Sequence, residues 1–94
     1  SDFNPGSCHI YSMPFIIGLA CLSLRMTVAE ALCAATVNSA FAIGMGTTIG
    51  QIKPQYQADF LVMDLGSLEE LPYNLASNPV SLVFKKGKPV WQNN

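Results

Sequence analysis

The chain has 94 residues, of which 50% are hydrophobic and only 12% are charged, and its net charge at pH 7 is −1. Its five Lys and Arg residues are too few for a nucleic-acid-binding surface, so we expect no nucleic acid as a partner. Soluble domains carry about 25% charged residues, and a chain this short buries little more than about 60% of its unfolded surface. This composition predicts that other protein covers part of the surface.

The longest uncharged apolar run, Met13 to Leu24, is too short to span a bilayer. It holds 12 residues, whereas a transmembrane helix requires about 20, so we expect no membrane partner. The start of the chain is acidic and lacks the basic residues of a secretory signal. Cys8, Cys21 and Cys33 are an odd number of cysteines without CxxC spacing, which predicts a reduced, cytoplasmic protein.

The first residues, SDFNPGS, concentrate polar and turn-forming side chains. Pro5-Gly6 is a strong turn signal. Asp2 is an isolated carboxylate beside this turn, and Asn4, Gly6 and Ser7 are candidate ligand contacts. Asn4 offers a donor and an acceptor, Ser7 offers a hydroxyl, and Gly6 lets backbone N–H groups approach a ligand. From the residues alone, a simple turn with Asp2 as a cap or turn residue is the more common interpretation.

Two helices are predicted next, over about 13–25 and 28–43. The first is apolar nearly all round, which predicts burial on most of its faces. At the start of the second, Thr27 followed by Glu30 matches a capping box. Gly44 stands where a left-handed residue ends many helices.

From Thr48 the pattern changes to that of strands. Four short segments show this pattern, namely 49–52, 58–63, 81–84 and 89–92. The last two frame a hairpin around Lys86-Gly87. Four short strands without a wide apolar face of their own need a partner sheet. The order of elements therefore indicates a C-terminal piece of a larger fold.

With these elements placed, the sequence resembles the C-terminal end of the metal-dependent amidohydrolase superfamily and, within it, the imidazolonepropionase family. The broad marks are the Asp2 loop, AEALCAATVNSAFAIG (29–44) and GQIKPQYQADFLVMD (50–64). The narrower marks are SDFNPGS followed by SMPFIIGLACLSLRMT, and LEELPYN (68–74). Gln55 departs from the pattern, because many relatives have Gly in that turn.

The resemblance implies an α/β fold that combines the end of a TIM-like barrel with strands of a small β-sandwich. Residues 1–46 would form the end of the last barrel strand, the active-site loop and the C-terminal barrel helices. Residues 47–94 would form the C-terminal strands of a composite β-sandwich domain. The expected partners are the remainder of the same enzyme chain, a small-molecule substrate and, as a further expectation, a second copy in a homodimer.

The resemblance also implies hydrolysis of a cyclic amide, namely of 4-imidazolone-5-propanoate to N-formimino-L-glutamate in histidine degradation. Asp2 would be both a ligand of one divalent metal ion, zinc or iron, and the residue that transfers the proton. Asn4 and Gly6 would contact the product, and Ser7 the substrate. The remaining ligands would be histidines of earlier strands, so these 94 residues are not expected to be active alone.

Two other functions stay open. The first is a different amidohydrolase of the dihydroorotase or deaminase type. An upstream Arg and Tyr placed to clamp the propanoate would argue against this alternative. The second is a non-catalytic small α+β interaction module that binds through its apolar helices. Expression of the 94 residues alone distinguishes this module, which would be a compact, cooperatively unfolding monomer.

Overall fold

The computed structural model describes every residue from Ser1 to Asn94. Its elements in chain order are α1 (Met13–Ser23), α2 (Val28–Cys33), a π-helical segment (Ala34–Asn38), α3 (Ser39–Ala42), β1 (Phe60–Met63), a 3₁₀ turn (Leu68–Glu70), β2 (Val80–Lys85) and β3 (Lys88–Gln92). The chain is therefore an α/β structure with its helices first and one small sheet after them. None of the helices has the length and apolar character required to cross a bilayer.

The predicted helix caps of the second helical stretch are confirmed. The Thr27 N–H donates to Glu30 Oε2 at 3.0 Å, and the Glu30 N–H donates to Thr27 Oγ1 at 3.1 Å, which completes the capping box. At the other end Gly44 has φ +76°. The Gly44 N–H donates to the Phe41 carbonyl, and the Met45 N–H donates to the Ala40 carbonyl at 2.8 Å. This is the Schellman pattern that a left-handed residue permits.

The π-helical segment interrupts this second helix and was not predicted. At its end the Ser39 N–H reaches the carbonyl of Ala34, five residues earlier. The Ser39 hydroxyl donates to the same carbonyl at 2.7 Å, and the Thr36 hydroxyl donates to the Leu32 carbonyl at 2.7 Å. These side-chain bonds compensate for backbone hydrogen bonds that the wider turn weakens.

The sheet is antiparallel with strand order β1-β2-β3. Lys86 and Gly87 both have positive φ, 53° and 77°, as the two-residue turn of a tight hairpin requires. The predicted hairpin is therefore confirmed. Phe60 and Phe84 lie opposite each other and their rings stack with centroids 4.5 Å apart.

The strand predicted over 49–52 is wrong, because this segment turns against the second helix. Gly50 has φ +92°. A Cβ on Gly50 would lie 2.8 Å from the Ala40 Cβ and 2.9 Å from the Thr36 carbonyl oxygen. Gly50 therefore allows the backbone to pass close to the helix in a conformation that a strand cannot adopt.

The first helix is fully buried only at its centre, so the prediction of burial on most faces is wrong for this chain. Ile17 and Gly18 are buried, whereas Leu22 and Leu24 are 62% and 71% exposed. Ile17 contributes to a small core cluster with Ala31 of α2 and Leu71 after the 3₁₀ turn.

The exposed area of the whole chain is large for its mass. It is 6742 Å², whereas a compact monomer of 10.1 kDa exposes about 5,300 Å². Much of the excess is apolar, because large hydrophobic side chains of α1, α3 and the sheet are exposed. The expectation that other protein covers this surface stays a prediction, as does the division into barrel and sandwich parts.

Candidate active-site loop

Residues 1–12, here called the N-terminal loop, contain all the predicted site residues. The Asn4 N–H donates to the Cys8 carbonyl at 2.8 Å, and the Cys8 N–H donates to the Asn4 carbonyl at 2.7 Å. The Ser7 N–H donates to the same Asn4 carbonyl at 3.0 Å. These bonds close a turn around Pro5-Gly6, so the predicted turn is confirmed, and Asn4, Gly6 and Ser7 lie together in it.

Hydrogen bonds inside the turn determine which groups remain available to a ligand. Asn4 Oδ1 accepts from the Gly6 N–H at 2.8 Å. The Gly6 N–H is therefore already used within the turn, and contact of Gly6 with a ligand stays a prediction. The Asn4 amide NH₂ group and the Ser7 hydroxyl have no partner within the chain and lie in exposed residues. They are the free polar groups of this turn.

Asp2 precedes the turn and carries a free carboxylate. The residue is exposed, and neither oxygen takes part in a hydrogen bond or an ion pair with the rest of the chain. Its φ of +53° is left-handed, a conformation that Asp tolerates better than most residues. No group of three or more His, Cys, Asp or Glu side chains lies close enough to hold a metal ion. The role of Asp2 as a metal ligand stays a prediction.

Asp59 is the opposite case, a carboxylate whose bonding capacity is used within the chain. Its Oδ2 accepts from Lys85 Nζ at 2.5 Å and from Gln57 Nε2 at 2.7 Å, and its Oδ1 accepts from the Lys86 N–H at 2.9 Å. The hydrogen bond from Lys85, followed by that from Lys86, lowers the pKa of Asp59 from 3.8 to about 2. We call these four residues the hairpin clasp.

Sequence reasoning missed an aromatic contact that joins the two ends of the N-terminal loop. The rings of Phe3 and Tyr11 meet edge to face with centroids 5.7 Å apart. Tyr11 and His9 also line a cleft of about 350 Å³, whose opposite wall is formed by residues 75–78. The only signal in the sequence is that two aromatic residues flank a turn-rich segment.

Comparison with known proteins assigns the chain to a family. The model of the amidohydrolase family matches residues 10–90, so the chain belongs to the amidohydrolase family. The chain is similar to imidazolonepropionases of several bacteria. It is 43% identical over 88 residues to that of Symbiobacterium thermophilum, a match covering 94% of this chain and 21% of that protein. It is 46% identical over 90 residues to that of Shouchella clausii, with 96% and 20% covered.

The similarity extends to further relatives and to a solved structure. The imidazolonepropionase of Herpetosiphon aurantiacus is 44% identical over 93 residues, which cover 99% of this chain and 22% of that protein. The chain thus spans about a fifth of the length of the curated relatives it matches. The structure of Escherichia coli guanine deaminase superimposes with a TM-score of 0.77 at 20% identity, over 95% of this chain and 26% of that one. This likeness shows a shared fold.

Proposed function

We propose that this chain is the C-terminal part of an imidazolonepropionase, which opens the ring of 4-imidazolone-5-propanoate with water to give N-formimino-L-glutamate. The observation that carries the proposal is an identity of 39–46% to proteins of that name over nearly the whole chain. An exposed loop with a free carboxylate, a free amide and a free hydroxyl supports it, because such a loop offers the polar groups that ring opening needs.

Asp2 would act on the proton of the attacking water. When bound, a divalent metal ion, zinc or iron, lowers the pKa of its water ligand and polarises a carbonyl group. The Asp2 carboxylate would hold that ion, together with donors from outside this chain. Asp2 would also take a proton from the water and return it to the ring nitrogen as the C–N bond breaks. The absence of a partner for Asp2 in the chain supports this assignment, because neither carboxylate oxygen takes part in another hydrogen bond or ion pair.

The turn after Asp2 would bind the reacting molecule. The Asn4 amide NH₂ group would donate to the product, and the Ser7 hydroxyl would contact the substrate. Gly6 would lie against the product without a side chain. A Cβ there would stand 3.3 Å from Asn4 Oδ1, so a larger residue would press on the Asn4 side chain that shapes the turn.

The remainder of the enzyme would cover the exposed apolar surface. Residues 1–46 would close the end of a barrel, and residues 47–94 would contribute strands to a β-sandwich. The excess of exposed area over that of a compact monomer supports this arrangement. The free strand edges β1 and β3 of the small sheet also support it, since unpaired edges are usually covered or paired in native proteins.

The decisive experiment offers several cyclic or amidine substrates to the longer protein that contains this chain. We expect turnover of 4-imidazolone-5-propanoate to N-formimino-L-glutamate, loss of activity on chelation and recovery with zinc or iron. Dihydroorotate and guanine serve as parallel substrates. Turnover of either one, with the imidazolone left intact, would replace this proposal by a dihydroorotase-type or deaminase-type function.

A second experiment tests the interaction-module alternative. The 94 residues expressed alone should unfold without a cooperative transition, because only seven residues are buried and a core this small leaves little net stability. A monomeric species with a sharp, reversible denaturation curve would support a free-standing module and contradict the fragment proposal.

A further inference from the structure

The Phe3–Tyr11 contact is the side-chain tie that spans the turn of the N-terminal loop. The two ring planes are inclined by 78°, with centroids 5.7 Å apart. Edge-to-face pairs at such a distance are attractive, because the positive edge of one ring meets the negative face of the other. The Asn4–Cys8 turn lies between these two residues in the chain. The pair thus joins the segment before the turn to the segment after it.

Tyr11 stands at the rigid end of the loop. The next residue, Ser12, is the N-cap of α1 and accepts from the Phe15 N–H at 3.4 Å. Further along α1, the buried Gly18 lies so close to Leu75 that a Cβ on Gly18 would be 2.1 Å from Leu75 Cδ2. α1 is therefore held against the segment after the 3₁₀ turn, and Tyr11 is anchored to a fixed helix.

Phe3 stands at the opposite end, between the two residues with the most important proposed roles. Asp2 precedes it and Asn4 follows it, so the position of the Phe3 ring constrains the backbone of both. Besides the Asn4–Cys8 backbone pair, the other tie across this region is a bond from Cys8 Sγ to the Ser1 carbonyl at 3.4 Å. A thiol is a weak donor, so the aromatic pair is the stronger of the two side-chain ties.

The exposure of the pair argues against a role in the core. Phe3 is 51% exposed and Tyr11 is 81% exposed, so their removal uncovers little buried apolar surface. Their contact therefore has a small effect on the stability of the whole chain and a larger one on the geometry of the loop.

We propose that Tyr11 is a positioning residue, which holds Phe3 and thereby sets the positions of Asp2 and Asn4 for ring opening. This inference rests on the proposed function of the loop. Tyr11 touches neither the substrate nor the metal ion in this role. It acts through the Phe3 ring, and its hydroxyl is not required.

The test compares Tyr11→Ala with Tyr11→Phe in the longer protein that contains this chain. Tyr11→Ala should lower kcat/KM for ring opening about threefold to tenfold, the range expected from loss of one aromatic pair. With the metal ion at saturation, its melting temperature should equal that of the wild type. Tyr11→Phe keeps the ring and should retain wild-type kcat/KM. Tyr73→Ala is the matched control, because Tyr73 is 87% exposed and forms no aromatic pair.

A double-mutant cycle with Phe3→Leu identifies the contact itself. If the two side chains act together, Tyr11→Ala should have almost no effect on kcat/KM in the Phe3→Leu background. Independent, multiplicative effects would overturn the proposal. So would a wild-type kcat/KM in Tyr11→Ala, or an equal loss in Tyr11→Phe, which would assign the effect to the hydroxyl.

Amide hydrogen exchange separates this inference from the proposed function. Tyr11→Ala should speed exchange of the Asn4 and Cys8 amides severalfold and leave the amides of α1 unchanged. Unchanged exchange at Asn4 and Cys8 would overturn the positioning role even in a fully active enzyme. If the wild-type protein acts on a different cyclic substrate, only the substrate assignment is refuted. The positioning role of Tyr11 is then tested by measuring the same variants with that substrate.

Discussion

The N-terminal loop and the hairpin clasp each contain one aspartate, and the two carboxylates are in opposite states. Asp59 accepts hydrogen bonds from Gln57, Lys85 and Lys86. Asp2 accepts none and stands exposed beside a turn of polar groups. The comparison teaches that the bonds already made by a carboxylate, rather than its residue type, distinguish a structural group from one available for chemistry.

The difference also appears in how each region is stabilised. The clasp joins residues far apart in the chain, since Asp59 precedes β1 and Lys85 ends β2. The loop is closed mainly by bonds among residues 4–8 and by the Phe3–Tyr11 contact. A substitution in the clasp should therefore change stability, whereas one in the loop should change activity.

The largest expected effect is that of Asp2→Asn on activity. Asparagine keeps the shape of the side chain but cannot accept the proton of water, so kcat/KM of the longer protein should fall about 10²-fold to 10⁴-fold. In the metal-free protein the melting temperature should stay within about one degree of the wild type, because the carboxylate makes no bond within the chain. Asp64→Asn is the control, since Asp64 is also exposed without a side-chain hydrogen bond. Equal losses in both variants would remove the special role of Asp2.

The next effect is that of Asp59→Asn on stability. The neutral amide loses the ion pair with the largely exposed Lys85, so the melting temperature should fall by about one degree while kcat/KM stays unchanged. Thermal denaturation and steady-state kinetics measure both quantities. Glu69→Gln, which removes an exposed and unpaired carboxylate, should change neither. A loss of activity in Asp59→Asn without a loss of stability would mean that the clasp, too, has a chemical role.

The pH dependence of stability should show the same contribution. The folded-state pKa of Asp59, about 2, lies below its ordinary value of 3.8. The stabilisation is therefore fully present above about pH 4 and is lost as the pH falls toward 2. Urea denaturation at successive pH values should show that the free energies of unfolding of wild type and Asp59→Asn converge over this interval. A constant difference down to pH 2 would contradict the depressed pKa.

The smallest expected effect is that of Gln55→Gly in the turn before the clasp. Gln55 has φ +72°, a left-handed conformation that costs a side-chain-bearing residue about 1–2 kcal/mol. Glycine removes that strain but increases the entropy of the unfolded chain, so the net gain should be about 0.5–1 kcal/mol. Gln51→Gly, where φ is not positive, should destabilise instead. Chemical denaturation measures the stability of both variants. A Gln55→Gly variant that is less stable than the wild type would contradict this interpretation.

Several elements could be predicted from the sequence because their signals are local. The capping box of Thr27 and Glu30, the left-handed Gly44 and the Lys86-Gly87 turn each depend on residues a few positions apart. The turn of the N-terminal loop belongs with them. The amidohydrolase resemblance rested on the same stretches and on their order, and the family match over residues 10–90 confirms it.

The predictions that failed concern contacts between segments, which the sequence pattern does not reveal. The strand expected at 49–52 is replaced by a turn because Gly50 approaches Thr36 and Ala40 of the helix. The π-helical segment depends on hydroxyl bonds of Thr36 and Ser39 that a helical pattern does not reveal. In the loop, the residues expected to bind were identified by type, but the occupied N–H of Gly6 became evident only from the Asn4 side chain.

Short-range order thus followed from the amino acids alone: where helices begin and end, where the hairpin reverses and which loop concentrates polar groups. These features arise from hydrogen bonds and backbone preferences within a few residues. Tertiary structure decided which carboxylate is bonded and which is free, and which part of α1 is buried. Both depend on contacts between distant parts of the chain, such as Asp59 with Lys85 and Gly18 with Leu75, whose geometry no local pattern encodes.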